Sequence, residues 1–203
     1  MSTHGKSSRR AAAGRVRIIG GTLRNSRLDV ADLPGLRPTA ERVRETLFNW
    51  LEPVIAGAHC VDLFAGTGAL GIEAISRGAA SARLIEQEPR AARGLRENLA
   101  RLKLDRAQLS ELDALHFLRR PIGLGERFDV AFLDPPFAQN LWELVARQLE
   151  QGDWLAPSAW IYVESPREAA LALPANWQPH RHGQAGEVAY ALYRRYTDSK
   201  TFG

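Results

Sequence analysis

Between residues 60 and 165, short apolar runs take turns with stretches of helical period, and few architectures accept that alternation. The runs CVDLF, ARLIE, AQLSEL, FDVAFL and WIYVES have strand length and are rich in apolar residues, as strands covered on both faces are. The spacing between them predicts helices over 70–77, 90–103, 114–119 and 141–151. Strand and helix in alternation make βαβ units, hence an α/β fold built on a mostly parallel sheet with helices on both faces.

The flanks read differently. RVRIIGG and RNSRLDV are two short strands about a Gly-Gly turn, a basic hairpin. After Pro38, TAERVRETLFNWLEPVI carries Val43, Leu47, Trp50 and Val54 at helical spacing, which predicts a helix with Thr39 as its N-cap. At the other end EVAYALYRRY reads as a strand that pairs with WQPHRHG in a hairpin. The expected organisation is a disordered basic tail over 1–14, a hairpin extension over 15–38 and one domain over 39–203.

Charge is distributed unevenly. The first 27 residues hold Lys6, Arg9, Arg10, Arg15, Arg17, Arg24 and Arg27, while all 23 carboxylates come later. Such asymmetry is the footprint of an arm that binds a polyanion, nucleic acid here, although a solvated tail has the same composition. Arg37, Arg42 and Arg44 either extend that surface or form a solvated helix face. No stretch approaches the roughly 18 uninterrupted apolar residues of a membrane span, and the N-terminus has no apolar signal core. The expectation is a cytoplasmic, membrane-free chain. The single cysteine, Cys60, in an apolar run, permits no internal disulfide and reads as a small buried hydrophobe. His180 and His182 lack a third ligand nearby, so no metal is expected, and they read as loop histidines.

Directly after the first strand of the alternating region, Gly66, Gly68 and Gly71 satisfy G-x-G-x-x-G with a strand before and a helix after. Glu86, at the end of the next strand, can accept hydrogen bonds from two ribose hydroxyls. The loop alone suits either a nicotinamide dinucleotide or an adenosyl ligand. Asp62, four residues before Gly66, repels a pyrophosphate and suits the cationic amino group of S-adenosylmethionine.

FDVAFL ends in Asp134-Pro135-Pro136-Phe137. In a sheet of order 3-2-1-4-5 that tetrapeptide neighbours the glycine loop, at the point where strand order reverses and ligands bind. Each proline restrains the backbone, so the turn is rigid. The Asp134 carboxylate and the Pro135 carbonyl are two acceptors for the two hydrogens of an exocyclic amine, whose lone pair is thereby aimed at an electrophilic methyl. Phe137 offers a ring on which a base can stack, worth about 1–3 kcal/mol.

These residues resemble a known family. DLFAGTG with DPPF is similar to the class I S-adenosylmethionine-dependent methyltransferases that modify exocyclic amines. RIIGG, GLRPTAERVRETLFNWL, DLFAGTGALGIEA, DPPF, IYVES and AYALYRR together resemble the bacterial 16S ribosomal RNA (guanine-N2)-methyltransferases of the small subunit, over residues 15–195. The resemblance implies a Rossmann-like sheet of seven strands closing in an antiparallel hairpin, and S-adenosyl-L-methionine as cofactor. It implies cofactor contacts from Asp62, the loop Phe64, Ala65, Gly66, Thr67 and Gly68, then Glu86, and Asp113 with Ala114 about the adenine. Asp134, Pro135, Pro136 and Phe137 would carry the transfer, and Arg15, Arg17, Arg24, Arg27 and Arg37 the RNA. The implied partner is 16S rRNA in an assembled or partly assembled small subunit, met by a monomer. The competing readings are amino methylation of adenine N6 or cytosine N4 in RNA or DNA, glutamine methylation, a dehydrogenase, and a non-enzymatic RNA-binding module. DPPF does not by itself choose among the bases.

Overall fold

The computed structural model describes residues 14–30, 39–123 and 126–197. Most of the basic tail, the end of the expected hairpin extension and Arg37 lie outside the described residues.

The chain opens with β1 (Arg15–Arg17) and β2 (Arg27–Asp29), an antiparallel pair joined through a short 3-10 turn at Gly21–Leu23. Its alternation is strict: Val16 and Leu28 are buried, and Arg15, Arg17, Arg27 and Asp29 point outward. A helix, α1 (Glu41–Ile55), follows, and then the alternating body: β3 (His59–Asp62), α2 (Ala69–Ser76), β4 (Ser81–Ile85), α3 (Pro89–Leu102), β5 (Ala107–Ser110), α4 (Ala114–Arg119), β6 (Phe128–Leu133) and α5 (Trp142–Gln151). Three strands close it: β7 (Leu155–Pro166), β8 (Trp177–Ala185) and β9 (Val188–Arg195).

The large sheet has seven strands in the order β5-β4-β3-β6-β7-β9-β8. The first five are parallel, and β9 pairs antiparallel with both β7 and β8. The expected order and terminal hairpin are both present. His180 and His182 belong to strand β8, not to a loop, and His180 packs edge-on against Trp160 at 4.8 Å between ring centres.

Each sheet face has its own apolar cluster, and neighbouring residues of a strand divide between them as a pleat of period two requires. In β6, Val130 and Phe132 join the cluster under α1, α2 and α3, while Ala131 and Leu133 join the one under α4 and α5. Burying a side chain such as Phe132 contributes on the order of 2 kcal/mol, and both faces are filled this way.

Two further details depart from the sequence-based expectation. The strand expected to begin at Trp160 begins at Leu155, because Leu155 pairs with Phe128 before an irregularity moves the register to Val130 and Trp160. Pro157 falls in that irregularity, where no ladder donor is needed. Arg44 does not lie on a solvated face: it is 2% exposed and pairs with Glu73 at 3.6 Å.

Glu73 is itself fully buried on α2. Its carboxylate accepts from the amides of Ile19 and Gly20, both at 2.8 Å, and from Arg77 Nε at 2.9 Å. Asn98 on α3 holds the other strand, accepting from the Asp29 amide at 3.2 Å and donating to its carbonyl at 3.1 Å. The basic hairpin is thus fastened to the two helices that follow the first two strands of the body.

Candidate active site

At the carboxyl ends of β3, β4, β6 and β7 a cleft of about 1090 Å³ is open to solvent. Strand order reverses between β3 and β6, so the loop after β3 and the turn after β6 stand side by side and both line this cleft.

The first wall is the glycine loop. Gly68 has φ +78° and immediately precedes α2, and a Cβ there would run into Leu95. At Gly71 a Cβ would strike the end of the Leu84 side chain of β4, so a larger residue there would have to displace that buried leucine between α2 and the sheet. Asp62, at the tip of β3, accepts from the Gly71 amide at 3.2 Å and is 2% exposed. Burial pushes its carboxyl up to about 7 against the hydrogen bonds that favour the ionised form, with nearby Glu86 adding to the rise. Glu86 follows β4 directly and bridges two amides, taking Gly66 N–H on Oε2 and Glu88 N–H on Oε1, both at 2.7 Å. Those bonds fix its carboxylate beside the loop.

Of the expected cofactor residues, Asp62, Phe64, Ala65, Gly66, Thr67, Glu86 and Ala114 line the cleft. Gly68 and Asp113 are not part of its lining. Asp113 caps α4 by accepting from the His116 amide at 3.0 Å, and it is the neighbours Leu112 and Ala114 that face the cavity.

The second wall is Asp134 to Phe137, all four of which line the same cleft. Phe137 is 38% exposed and starts a 3-10 turn, with its ring 5.8 Å from that of Trp142. Asp134 is half-buried, and its Oδ2 accepts from the Thr39 hydroxyl at 3.3 Å. Thr39 is not the N-cap of α1: the cap position is Ala40, with no side-chain bond, and the threonine hydroxyl turns instead to the acids of the cleft.

Glu164 on β7 gives no functional signal in the sequence, since it sits inside the apolar run IYVES. It lines the cleft and is 8% exposed. Its Oε2 accepts from the Tyr162 hydroxyl at 2.8 Å, and the Trp142 indole N–H donates to its backbone carbonyl at 2.7 Å. Burial raises the pKa of Glu164, while its hydrogen bonds to Tyr162 and Thr39 lower it. Asp134 is held well above the usual carboxylate range, first by burial and then by the charges of Glu164 and Asp62.

The electrostatic character of the cavity is uniform. Asp62, Glu86, Glu88, Asp134, Glu164 and Glu187 line it, and the described lining residues include no lysine or arginine. A pyrophosphate would find no counter-charge there, whereas a cationic ligand would find several.

Arg15, Arg17, Arg24 and Arg27, the described members of the expected RNA-binding set, do not line the cavity. Arg17 pairs with Glu41 in the first turn of α1, and Thr39 and Ala40, just before that turn, line the cleft, so the hairpin stands at its rim. Arg15 pairs with Asp29 at 3.3 Å, and Arg24 and Arg27 are exposed. Among the described residues no helix is long and apolar enough to cross a membrane.

A profile of the family described as conserved hypothetical protein 95 matches residues 16–194. The chain is 50% identical over 191 residues to ribosomal RNA small subunit methyltransferase D of Escherichia coli strain K12, covering 94% of this chain and 95% of that protein. Identity to the Haemophilus influenzae protein of the same name is 44%, covering 90% of this chain and 95% of that protein. The solved structure of yhhF from Escherichia coli, described as a methyltransferase, superposes with a TM-score of 0.83 at 50% identity, covering 90% of this chain and 99% of that one. The match extends across the glycine loop, the Asp134 turn and the terminal hairpin, and the chain belongs to the conserved hypothetical protein 95 family, together with the bacterial ribosomal RNA small subunit methyltransferases D.

Proposed function

We propose that the protein transfers a methyl group from S-adenosyl-L-methionine to the exocyclic N2 amine of a guanine in 16S rRNA, within the assembled or partly assembled small subunit. The observation that carries this reading is that the glycine loop and the Asp134 turn line one cleft whose described lining is rich in carboxylates and free of basic residues. S-adenosylmethionine fits that donor set. Asp62 has the charge for its ammonium group, and Glu86, anchored by two amides, has lone pairs left for the ribose hydroxyls. Ile85, Leu112 and Ala114 give an apolar wall for the adenine.

The cofactor supplies an electrophilic methyl: the amine nitrogen forms a bond to that carbon, the sulfur–carbon bond breaks with its electron pair going to sulfur, and the nitrogen loses a proton. A nucleobase amine is a poor nucleophile because its lone pair is delocalised into the ring. Asp134 and the Pro135 carbonyl, accepting its two hydrogens, favour a more tetrahedral nitrogen. Asp134, already bonded to that amine and with a pKa raised by burial, then takes the departing proton. Phe137, exposed at the cleft mouth, stacks on the base. Orientation does most of the catalysis, and effective molarities of about 10⁵ M are available to well-aligned groups.

The experiment is nucleoside mass spectrometry of small-subunit rRNA from a strain lacking this gene, before and after incubation with the protein and cofactor. Appearance of N2-methylguanosine is expected. A methylated adenosine or cytidine in its place would overturn the base assignment, and no new methyl group on rRNA would overturn the reading itself.

A further inference from the structure

We infer that Glu164 is the residue that selects the base, its carboxylate accepting the ring N1–H of a guanine while Asp134 holds the N2 amine. The inference rests on the proposed role of Asp134 and adds to it the reason one base is accepted.

The two acids are a matched pair in the sheet. Leu133 is in register with Val163, so Asp134 and Glu164 are the next residues up on adjacent parallel strands, which lie about 4.8 Å apart. The pleat returns them to the face of Phe132 and Tyr162, and both line the cleft. The Thr39 hydroxyl serves both carboxylates.

Glu164 is held more firmly than a residue with no task needs to be. Tyr162 takes one carboxylate oxygen at 2.8 Å, and Trp142 fixes the backbone at 2.7 Å. An ionised carboxylate has about four acceptor sites. Tyr162 fills one, the single Thr39 proton is shared between Asp134 and Glu164, and no lysine or arginine among the described lining residues neutralises the charge. Two adjacent buried acids with unfilled acceptor sites and no cation favour holding a proton between them, and a ligand that presents several hydrogens in a row can take that proton's place.

Among the bases with an exocyclic amine, guanine alone presents such a row, N1–H beside N2–H₂. Adenine and cytosine place a bare ring nitrogen next to the amine, and its lone pair would face the Glu164 carboxylate. A site built to receive a hydrogen bond rejects an analogue lacking the donor, because its buried acceptor is left unpaired.

The test uses 2-aminopurine, which keeps the N2 amine but has a bare N1. Small subunits are rebuilt with either guanine or 2-aminopurine at the nucleotide that the wild-type protein methylates, and kcat/KM is measured for wild type and Glu164→Gln. The wild type should prefer guanine about a hundredfold or more. In Glu164→Gln the amide can turn its N–H to the bare nitrogen, so transfer to guanine should fall while transfer to 2-aminopurine holds or rises, bringing the preference within about tenfold. A residue that only props up the fold would lower both rates by one factor and leave the ratio alone. Tyr162→Phe, which frees the carboxylate without removing it, should narrow the preference to a smaller extent and covers the case in which Glu164→Gln does not fold. A wild type that uses both bases equally, or an unchanged ratio in the variants, overturns the inference. Methyl found by mass spectrometry on an atom other than guanine N2 overturns the underlying reading, and this inference with it.

Discussion

Asp62 illustrates how one buried acid can both build a site and report on it. Its carboxyl is pushed up to about 7 from an ordinary value of 3.8, chiefly by burial. The folded protein without ligand therefore holds that proton more tightly than the unfolded chain, and this contribution to stability is lost as pH rises through about 7. A cationic ammonium group beside Asp62 favours the opposite, ionised form. Binding of S-adenosylhomocysteine, which keeps the ammonium, should therefore weaken about tenfold from pH 8 to pH 6. Isothermal titration in buffers of different ionisation enthalpy should show proton release, and Asp62→Asn should flatten the pH dependence. Of the residues in the cleft, those in the two turns were legible from sequence because glycines and prolines mark where the backbone must bend. Thr39 and Glu164 were not. A threonine after a proline at a helix start reads as a cap, and nothing in the sequence shows that its hydroxyl faces Asp134. A lone glutamate inside an apolar strand gives no signal until the strand beside it is known.

At the scale of elements, the joint between the N-terminal hairpin and α2 decides whether the basic hairpin stays at the rim of the cleft. Glu73, itself fully buried, receives two hairpin amides and two arginines. Replacing one member of a buried charged cluster leaves its partners uncompensated, at a cost of about 3–5 kcal/mol. Glu73→Ala should lower unfolding free energy in urea by about 3 kcal/mol and expose the hairpin amides to hydrogen exchange ahead of the sheet. Loss of less than about 1 kcal/mol, the level of an exposed pair, would show that the joint is held elsewhere. The elements themselves were readable in advance because each βαβ repeat has its own periodicity. The burial of Arg44 was not, since its spacing on α1 also fits a solvated face, and only the position of Glu73 on a different helix settles its direction.

For the whole molecule, charge separates two tasks. A cavity lined by acids takes a cationic cofactor, while the excess positive charge sits on the N-terminal arm and hairpin. Deleting residues 1 to 14 removes Lys6, Arg9 and Arg10, and if these contact rRNA phosphates the slope of log K against log salt should fall by about two to three. Filter binding to small subunits across a salt series measures it, and an unchanged slope would mean that the arm makes no phosphate contact. The central claim is that cofactor pocket and transfer corner are one cleft with Asp134 between them, and Asp134→Ala tests it most directly. S-adenosylhomocysteine affinity by titration should stay within about threefold of wild type, while methyl transfer to small-subunit rRNA should fall by about a hundredfold or more. Undiminished transfer by Asp134→Ala, or loss of cofactor affinity in step with activity, would contradict it.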